Sequence, residues 1–236
     1  MIKTIDIDVI NLSEEFTILH LSDLHISHKT PYQEILSLID FINKQNTNIV
    51  AITGDLVDDQ PNKIAHLIKL FEKIKVPCYF VSGNHELFHG FEKLEILLRN
   101  SNIIILDNKK ITISINNQNI CLVGIGDRMS HFFGRTRSEE IFETLDPNMI
   151  NIALVHQPKD FKWICKHNIA LQLSGHTHGG QIFPFHLLVK IQQGFLSGLY
   201  KKNNSLMYVN SGFGTWGIHK RFFSKAEIAI IKIKGK

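Results

Sequence analysis

Short apolar runs alternate along this chain with longer segments whose apolar residues recur every three or four positions, a pattern that predicts strands and helices in turn. Ile2–Ile10 and Phe16–Leu21 read as strands. After Pro31, the residues Ile35, Leu36, Ile39 and Ile42 fall at helical spacing. Asn48–Thr53 reads as a buried strand. Pro61–Lys75 carries Ile64, Leu67, Ile68 and Phe71 on one helical face, with proline at the start. Cys78–Ser82 is the next predicted strand and Phe91–Arg99 the next helix. Repeated strand–helix units of this kind build a parallel or mixed central sheet.

The rhythm then changes. Ile103–Leu106, Lys110–Ile115 and Ile120–Ile125 read as strands, the last two joined by a turn at Asn116–Asn119. A charged helix is expected over Ser138–Leu145, a strand over Ile150–Val155, a short helix over Phe161–Lys166 and a strand over Ile169–Leu173. Tyr208–Asn210 and Glu227–Lys234 end the chain as strands. The β-rich second half implies a second sheet facing the first, with helices outside. No linker, repeat or low-complexity stretch interrupts the 236 residues, so one α/β domain over 1–236 is expected.

Five of the apolar runs stop abruptly at Asp, His or Asn. LHLSDLH ends on Asp23 and His25, IVAITGD on Asp55, YFVSGN on Asn84, NIALVH on His156 and LQLSGHTH on His176 and His178. Strands that end this way carry ligand side chains to one edge of a sheet. Carboxylate, imidazole and amide oxygen together suit a borderline divalent ion such as Mn²⁺, Zn²⁺ or Fe²⁺. Seven such groups are too many for one ion and fit two that share a bridging carboxylate, for which Asp55 after Gly54 is the natural choice. A pair of ions can clamp a phosphoryl group for in-line displacement and lower the pKa of the attacking water. His85, next to Asn84, is placed to protonate a departing alkoxide, and Asp58 to orient its imidazole.

DLH, GDLVD, GNHE, a lone strand-end His and GHTHGG, in that order over residues 19 to 180, resemble the signature of the calcineurin-like metallophosphoesterases. The resemblance implies a two-sheet αββα sandwich. It further implies that Asp23, His25, Asp55 and His178 hold one ion, and that Asp55, Asn84, His156 and His176 hold the other. SGHTHGGQIFP, SGLY and VNSGFGTWG, followed by a basic segment and AEIAII, are similar to the YkuE-type branch of bacterial phosphodiesterases. That branch often has an N-terminal membrane helix, which is not seen in this sequence. Its usual Gly-Leu-Pro is replaced here by Gly217, Ile218 and His219. Relatives on it include hydrolases of the pyrophosphate in UDP-2,3-diacylglucosamine, a step of lipid A synthesis, which makes that lipid nucleotide a candidate substrate.

Composition narrows the alternatives. Hydrophobic residues make up 44% and charged residues 20%, as in a soluble globular protein. A net charge of +4 permits an anionic substrate without demanding nucleic acid. Cyclic-nucleotide phosphodiesterase or nuclease chemistry is the alternative, although a nuclease should carry a longer basic groove. A partner-binding scaffold on the same fold should have lost ligands that are all present here. Cys78, Cys121 and Cys165 show no CxxC spacing and are expected to be reduced core residues. With no signal or spanning segment in the sequence, a cytoplasmic enzyme is expected, with peripheral contact at the inner membrane face allowed and no obligate protein partner.

Other residues have weaker claims. His20 alternates with strand residues and should be core, while His89 and His131 could flank the pocket. Asp127 fits a turn or cap better than a site residue. Arg128, Arg135 and Arg137 surround HFFG and could grip an anion, as could His219, Lys220 and Arg221. Phe88, Phe132, Phe133, Phe183, Phe185, Phe195, Phe222 and Phe223 lie in irregular segments and are expected mostly in the core. If exposed, the loop Arg128–Arg137 and the segment Phe183–Phe195 would form an apolar entrance.

Overall fold

A computed structural model of the chain describes residues 1–10, 12–217, 220–222 and 224–235. His219 and Phe223 lie outside the described residues. Two six-stranded mixed sheets face each other. The first has the order β1-β12-β2-β3-β4-β5, built from β1 (Ile2–Val9), β12 (Ile228–Gly235), β2 (Phe16–Leu21), β3 (Ile49–Thr53), β4 (Cys78–Val81) and β5 (Ile103–Ile105). The second has the order β10-β11-β9-β8-β7-β6: β10 (Gly198–Lys202), β11 (Ser205–Val209), β9 (Leu171–Ser174), β8 (Ile150–Val155), β7 (Gln118–Ile125) and β6 (Lys109–Ile115).

The layers follow from side-chain alternation in strands buried on both faces. In β2 and β3, Ile18, Ile49 and Ala51 point into the core between the sheets, where they meet Leu122, Ile152 and Leu173. Their neighbours Leu19, Leu21, Val50 and Ile52 point outward onto α1 (Tyr32–Lys44), α2 (Pro61–Ile68) and α4 (Phe91–Arg99). On the far side, Val123, Ile125, Ala153 and Val155 pack against Phe142 and against Ile164 of α5 (Phe161–Ile164). The result is an αββα sandwich. The central strands are thus covered on both faces, and exposed apolar positions such as Ile2, Ile104 and Leu199 lie on the outer strands.

Several expectations are corrected. The helix starting at Pro61 stays α-helical only to Ile68 and tightens into a 3-10 turn over Lys69–Lys73, which seats Leu70 and Phe71 in the core. Glu139–Thr144 is also a 3-10 turn rather than an α-helix, burying only Phe142. Three elements lie outside the expected set, α3 (Asn84–His89), α6 (Phe185–Gln193) and β10, while the strand expected at Tyr208–Asn210 starts earlier, at Ser205, as β11. Asn84, His85 and Glu86 at the start of α3 are polar groups of the ligand run, which masked the helical pattern. Pro184 before α6 and Gly194 after it were legible boundary signals.

The phenylalanine expectation is overturned. Phe88, Phe132, Phe133, Phe183, Phe185 and Phe222 are exposed, and only Phe195 among the described ones is partly buried. The core between and outside the sheets is filled by strand and helix residues, so aromatic side chains on loops and on α6 have no interior to enter. Cys78, Cys121 and Cys165 are buried and unpaired, as expected.

Candidate metal centre

Parallel strands β2, β3, β4, β8 and β9 all point their C-terminal ends to the same edge, and each is followed at once by candidate ligands. The first sheet supplies Asp23, His25, Asp55 and Asn84; the second supplies His156, His176 and His178. The backbone is contorted to do so. Asp23, His25, Asp55, His176 and His178 all have left-handed φ angles, between 49° and 70°. Each such residue costs on the order of 1 kcal/mol, and clustering of five at one edge marks a functional site. Backbone bonds lock the turns together: Asp23 N donates to Gly54 O and His25 N to Asp55 O, both at 3.0 Å. Gly175 is required beneath them, because a Cβ there would meet Ser22 Oγ and the Asp23 carboxylate.

All seven candidate ligands converge. His25 Nε2 lies 3.0 Å from His178 Nε2, and His178 Nε2 lies 3.5 Å from Asp23 Oδ1. On the other side, His176 Nδ1 is 3.1 Å from His156 Nε2, which is 3.2 Å from Asp55 Oδ2. Asp55 Oδ2 also comes within 3.9 Å of His25 Nε2, so its carboxylate stands between the two histidine pairs. Asn84 Oδ1 is buried without a hydrogen-bond partner. Opposed ring nitrogens, an orphaned amide oxygen and two buried carboxylates form a donor set whose chemistry fits divalent metal.

The electrostatics agree. Burial above all lowers His176 to about 3 and His25 to about 4, in the latter against the pull of Asp55, and holds His178 well below its ordinary value. These rings therefore keep their lone pairs at neutral pH, the form that ligates. Burial alone would raise Asp55, yet His156, His25 and His85 hold it well below the usual carboxylate range. Burial would lower His156, but Asp55 above all raises it well above its ordinary value. His156 Nδ1 is 2.7 Å from Thr53 O, which can only accept, so its Nε2 faces Asp55 and the other donors. A cation bound there would compete with the proton shared by this pair.

His85 and Asp58 sit at the mouth. His85 Nδ1 is 2.8 Å from Asp58 Oδ1, while His85 N donates to Asp55 Oδ1 at 2.9 Å. His89, one turn on, places Nε2 3.2 Å from the same Asp58 oxygen. Burial lowers the His85 pKa, but Asp58 and then Asp55 outweigh it and the net shift is upward.

Glu86 was not foreseen as part of the site. It is fully buried, accepting from Asp55 N at 2.9 Å, Gly83 N at 2.6 Å and Val57 N at 3.1 Å. One carboxylate thus ties the Asp55 turn to the start of α3. The sequence signal was an acid at the third position of a helix, the spacing of a capping box. Arg221 is likewise a clamp rather than a free anion grip. Its guanidinium donates to the carbonyls of Ser211, Gly212 and Gly214, and lies 3.1 Å from His178 Nδ1.

The other arginines are also engaged. Arg128 and Arg137 both pair with buried Asp160, and Arg135 lies over the Phe91 ring at 4.3 Å. Asp127 caps a 3-10 turn by accepting from Met129 N at 2.9 Å. His20 is core, as expected, with Nε2 2.8 Å from Thr53 Oγ1. Lys220 is exposed.

A cavity of about 540 Å³ opens over the ligands, with Asp55, Asn84, His85, His176 and His178 at its base and Phe88, His131, Phe132, Val189 and Trp216 on its walls. An apolar annex of about 230 Å³, lined by Ile182, Phe185 and Leu188, shares Thr177, Val189, Gln192 and Trp216 with it.

Against known proteins, the family model of calcineurin-like phosphoesterases matches residues 16–180. The chain belongs to that family. It is 35% identical over 241 residues to an uncharacterized metallophosphoesterase of Campylobacter jejuni, covering 100% of this chain and 63% of that protein. It is 28% identical over 232 residues to the uncharacterized metallophosphoesterase YkuE of Bacillus subtilis, covering 93% of this chain and 79% of that one. A 5'-nucleotidase precursor from Thermus thermophilus shares the fold at a TM-score of 0.60 and 14% identity, over 93% of this chain and 55% of that chain. The chain thus spans less than two thirds of the Campylobacter protein, and of two Helicobacter pylori relatives at 64% each. Among the described residues, no helix is long and apolar enough to cross a membrane.

Proposed function

We propose that the protein is a dimetal phosphohydrolase that cleaves a phosphodiester or pyrophosphate with water. Asp23, His25, Asp55 and His178 would hold one divalent ion; Asp55, Asn84, His156 and His176 would hold the other. Manganese is the first metal to test, with zinc and iron as alternatives. Bound ions would supply charge against the phosphoryl oxygens and an acidified water. The observation that carries the reading is Asp55, whose single carboxylate stands between two histidine pairs with His85 facing it 3.9 Å away. His85, held by Asp58, donates the proton to the leaving oxygen, and the raised pKa keeps that proton available near neutrality.

The cavity suits a small molecule rather than a polynucleotide. Its volume is in the range of small-ligand sites, and Arg128 at its edge is already committed to Asp160. The apolar annex favours a substrate with a hydrocarbon part, so the UDP-2,3-diacylglucosamine class is the candidate we place first.

The test is metal content and turnover together. Wild-type protein should bind close to two manganese ions and hydrolyse bis-p-nitrophenyl phosphate. Asp55→Ala should lose both ions. His85→Ala should keep them and lose about 10²–10⁴-fold in kcat. Equal metal loss in both variants would contradict the division of roles, and a metal-free wild type would favour a scaffold. A panel adding UDP-2,3-diacylglucosamine, cyclic nucleotides and single-stranded DNA then ranks substrates.

A further inference from the structure

Helix α6 is built backwards for a soluble protein. Of its nine residues only Gln193 is buried, while Phe185, Leu187, Leu188 and Ile191 are exposed, Ile191 at 82%. Phe183 just before it and Trp216 beside it are exposed as well. Trp216 is fixed there by Gln181, which bonds its N–H at 3.2 Å and its carbonyl at 2.9 Å. Across the cavity mouth, Phe132 is 73% exposed and Phe88 and Phe133 are exposed too. The rim of the site is therefore apolar on two sides, more than scattered surface residues account for.

Charge identifies the occupant. From Phe161 to Ala226 the chain contains no aspartate or glutamate and eight lysines and arginines, although the whole protein carries 22 acids. All seven of those lysines are exposed. Lys190 is on α6 itself, and the Lys162 ammonium lies close to Gly194 at its end. Lys220 adjoins the segment in which Phe222 pairs with Ile182. An apolar helix set among cations, with tryptophan at its border, matches the interface of an anionic bilayer. A second copy would bring the same cations against each other, and unmatched like charge opposes that contact.

We propose that α6, together with Phe183 and Trp216, docks the protein on an anionic membrane surface and holds the mouth of the metal site against the lipid headgroups. The docking needs neither metal nor turnover, so it stands or falls separately from the hydrolytic reading.

The experiment is vesicle flotation of the whole chain. Wild-type protein should float with vesicles of mixed phosphatidylcholine and phosphatidylglycerol, less with phosphatidylcholine alone, and less as salt rises. Leu187→Ser/Ile191→Ser changes only exposed positions and should weaken partitioning at least about tenfold with an unchanged melting temperature. Lys190→Glu should weaken binding to the anionic vesicles alone. Wild type that stays in the aqueous phase would overturn the proposal. So would a serine variant that floats like wild type, or one whose only change is loss of a dimer.

Discussion

Asp58 exerts its effect through another residue. Its carboxylate shares one oxygen between His85 and His89, and its hydrogen bond is the largest influence raising the His85 pKa against the opposing effect of burial, with the Asp55 charge and its own charge adding to it. If His85 gives its proton to the leaving group, activity requires the protonated ring and is lost as pH rises through its folded pKa. Asp58→Asn removes the charge, so that pKa should fall and the alkaline limb of the kcat–pH profile should move to lower pH. An unmoved limb would mean that Asp58 only packs against the ring. Of this pair the sequence already showed the partnership, through the three-residue spacing of Asp55 and Asp58. His89 carried the weaker cue, one helical turn beyond His85, because the helix itself was not expected.

At the scale of elements, α3 carries the candidate ligand Asn84 and is tied to the Asp55 turn by Glu86. Three backbone N–H groups from two separate turns end on this buried carboxylate. Glu86→Gln keeps the size but turns one acceptor into a donor facing N–H groups, leaving a buried donor unpaired. The cost should be about 1–3 kcal/mol of stability, with metal affinity falling about 10–100-fold because the Asp55 turn is no longer pinned. Thermal melting with and without Mn²⁺ measures both. A variant with wild-type melting and metal content would show that the cap is dispensable. Helix α6 contrasts with α3: none of its apolar side chains is buried, so its apolar face is left to whatever meets it from outside.

At the scale of the molecule, the metal centre joins two sheets, and a buried polar group sits behind it in the same seam. His20 points into the space between the sheets, with Nε2 2.8 Å from Thr53 Oγ1 and Nδ1 without a partner. Burial drops its pKa to about 3, although Glu227 pulls the other way. Between pH 6.5 and 3 the unfolded chain takes up a proton at His20 and the native protein does not. Stability should therefore fall on acidification through that window, by up to about 1.4 kcal/mol per pH unit from this residue. His20→Asn should flatten that part of the acid-unfolding curve, read by chemical denaturation at a series of pH values. An unchanged slope would place the acid sensitivity elsewhere.

The polar groups gathered at the sheet edge and the strand–helix frame could be read from the chain because both are local. An apolar run that stops at Asp, His or Asn is a strand and its end, and strands buried on both faces must be covered by helices. What the contacts between distant segments decide was not legible. The strand β12 inserts between β1 and β2, more than 200 residues away in sequence from either. Arg128 and Arg137 were equally plausible as anion grips until the fold brought Asp160 between them. Glu86 looked like one more charge beside a ligand until the Asp55 turn folded onto it. Local patterning dictates which groups reach the sheet edge; only three-dimensional packing settles which are already satisfied there and which, like the apolar face of α6, remain exposed to the surroundings.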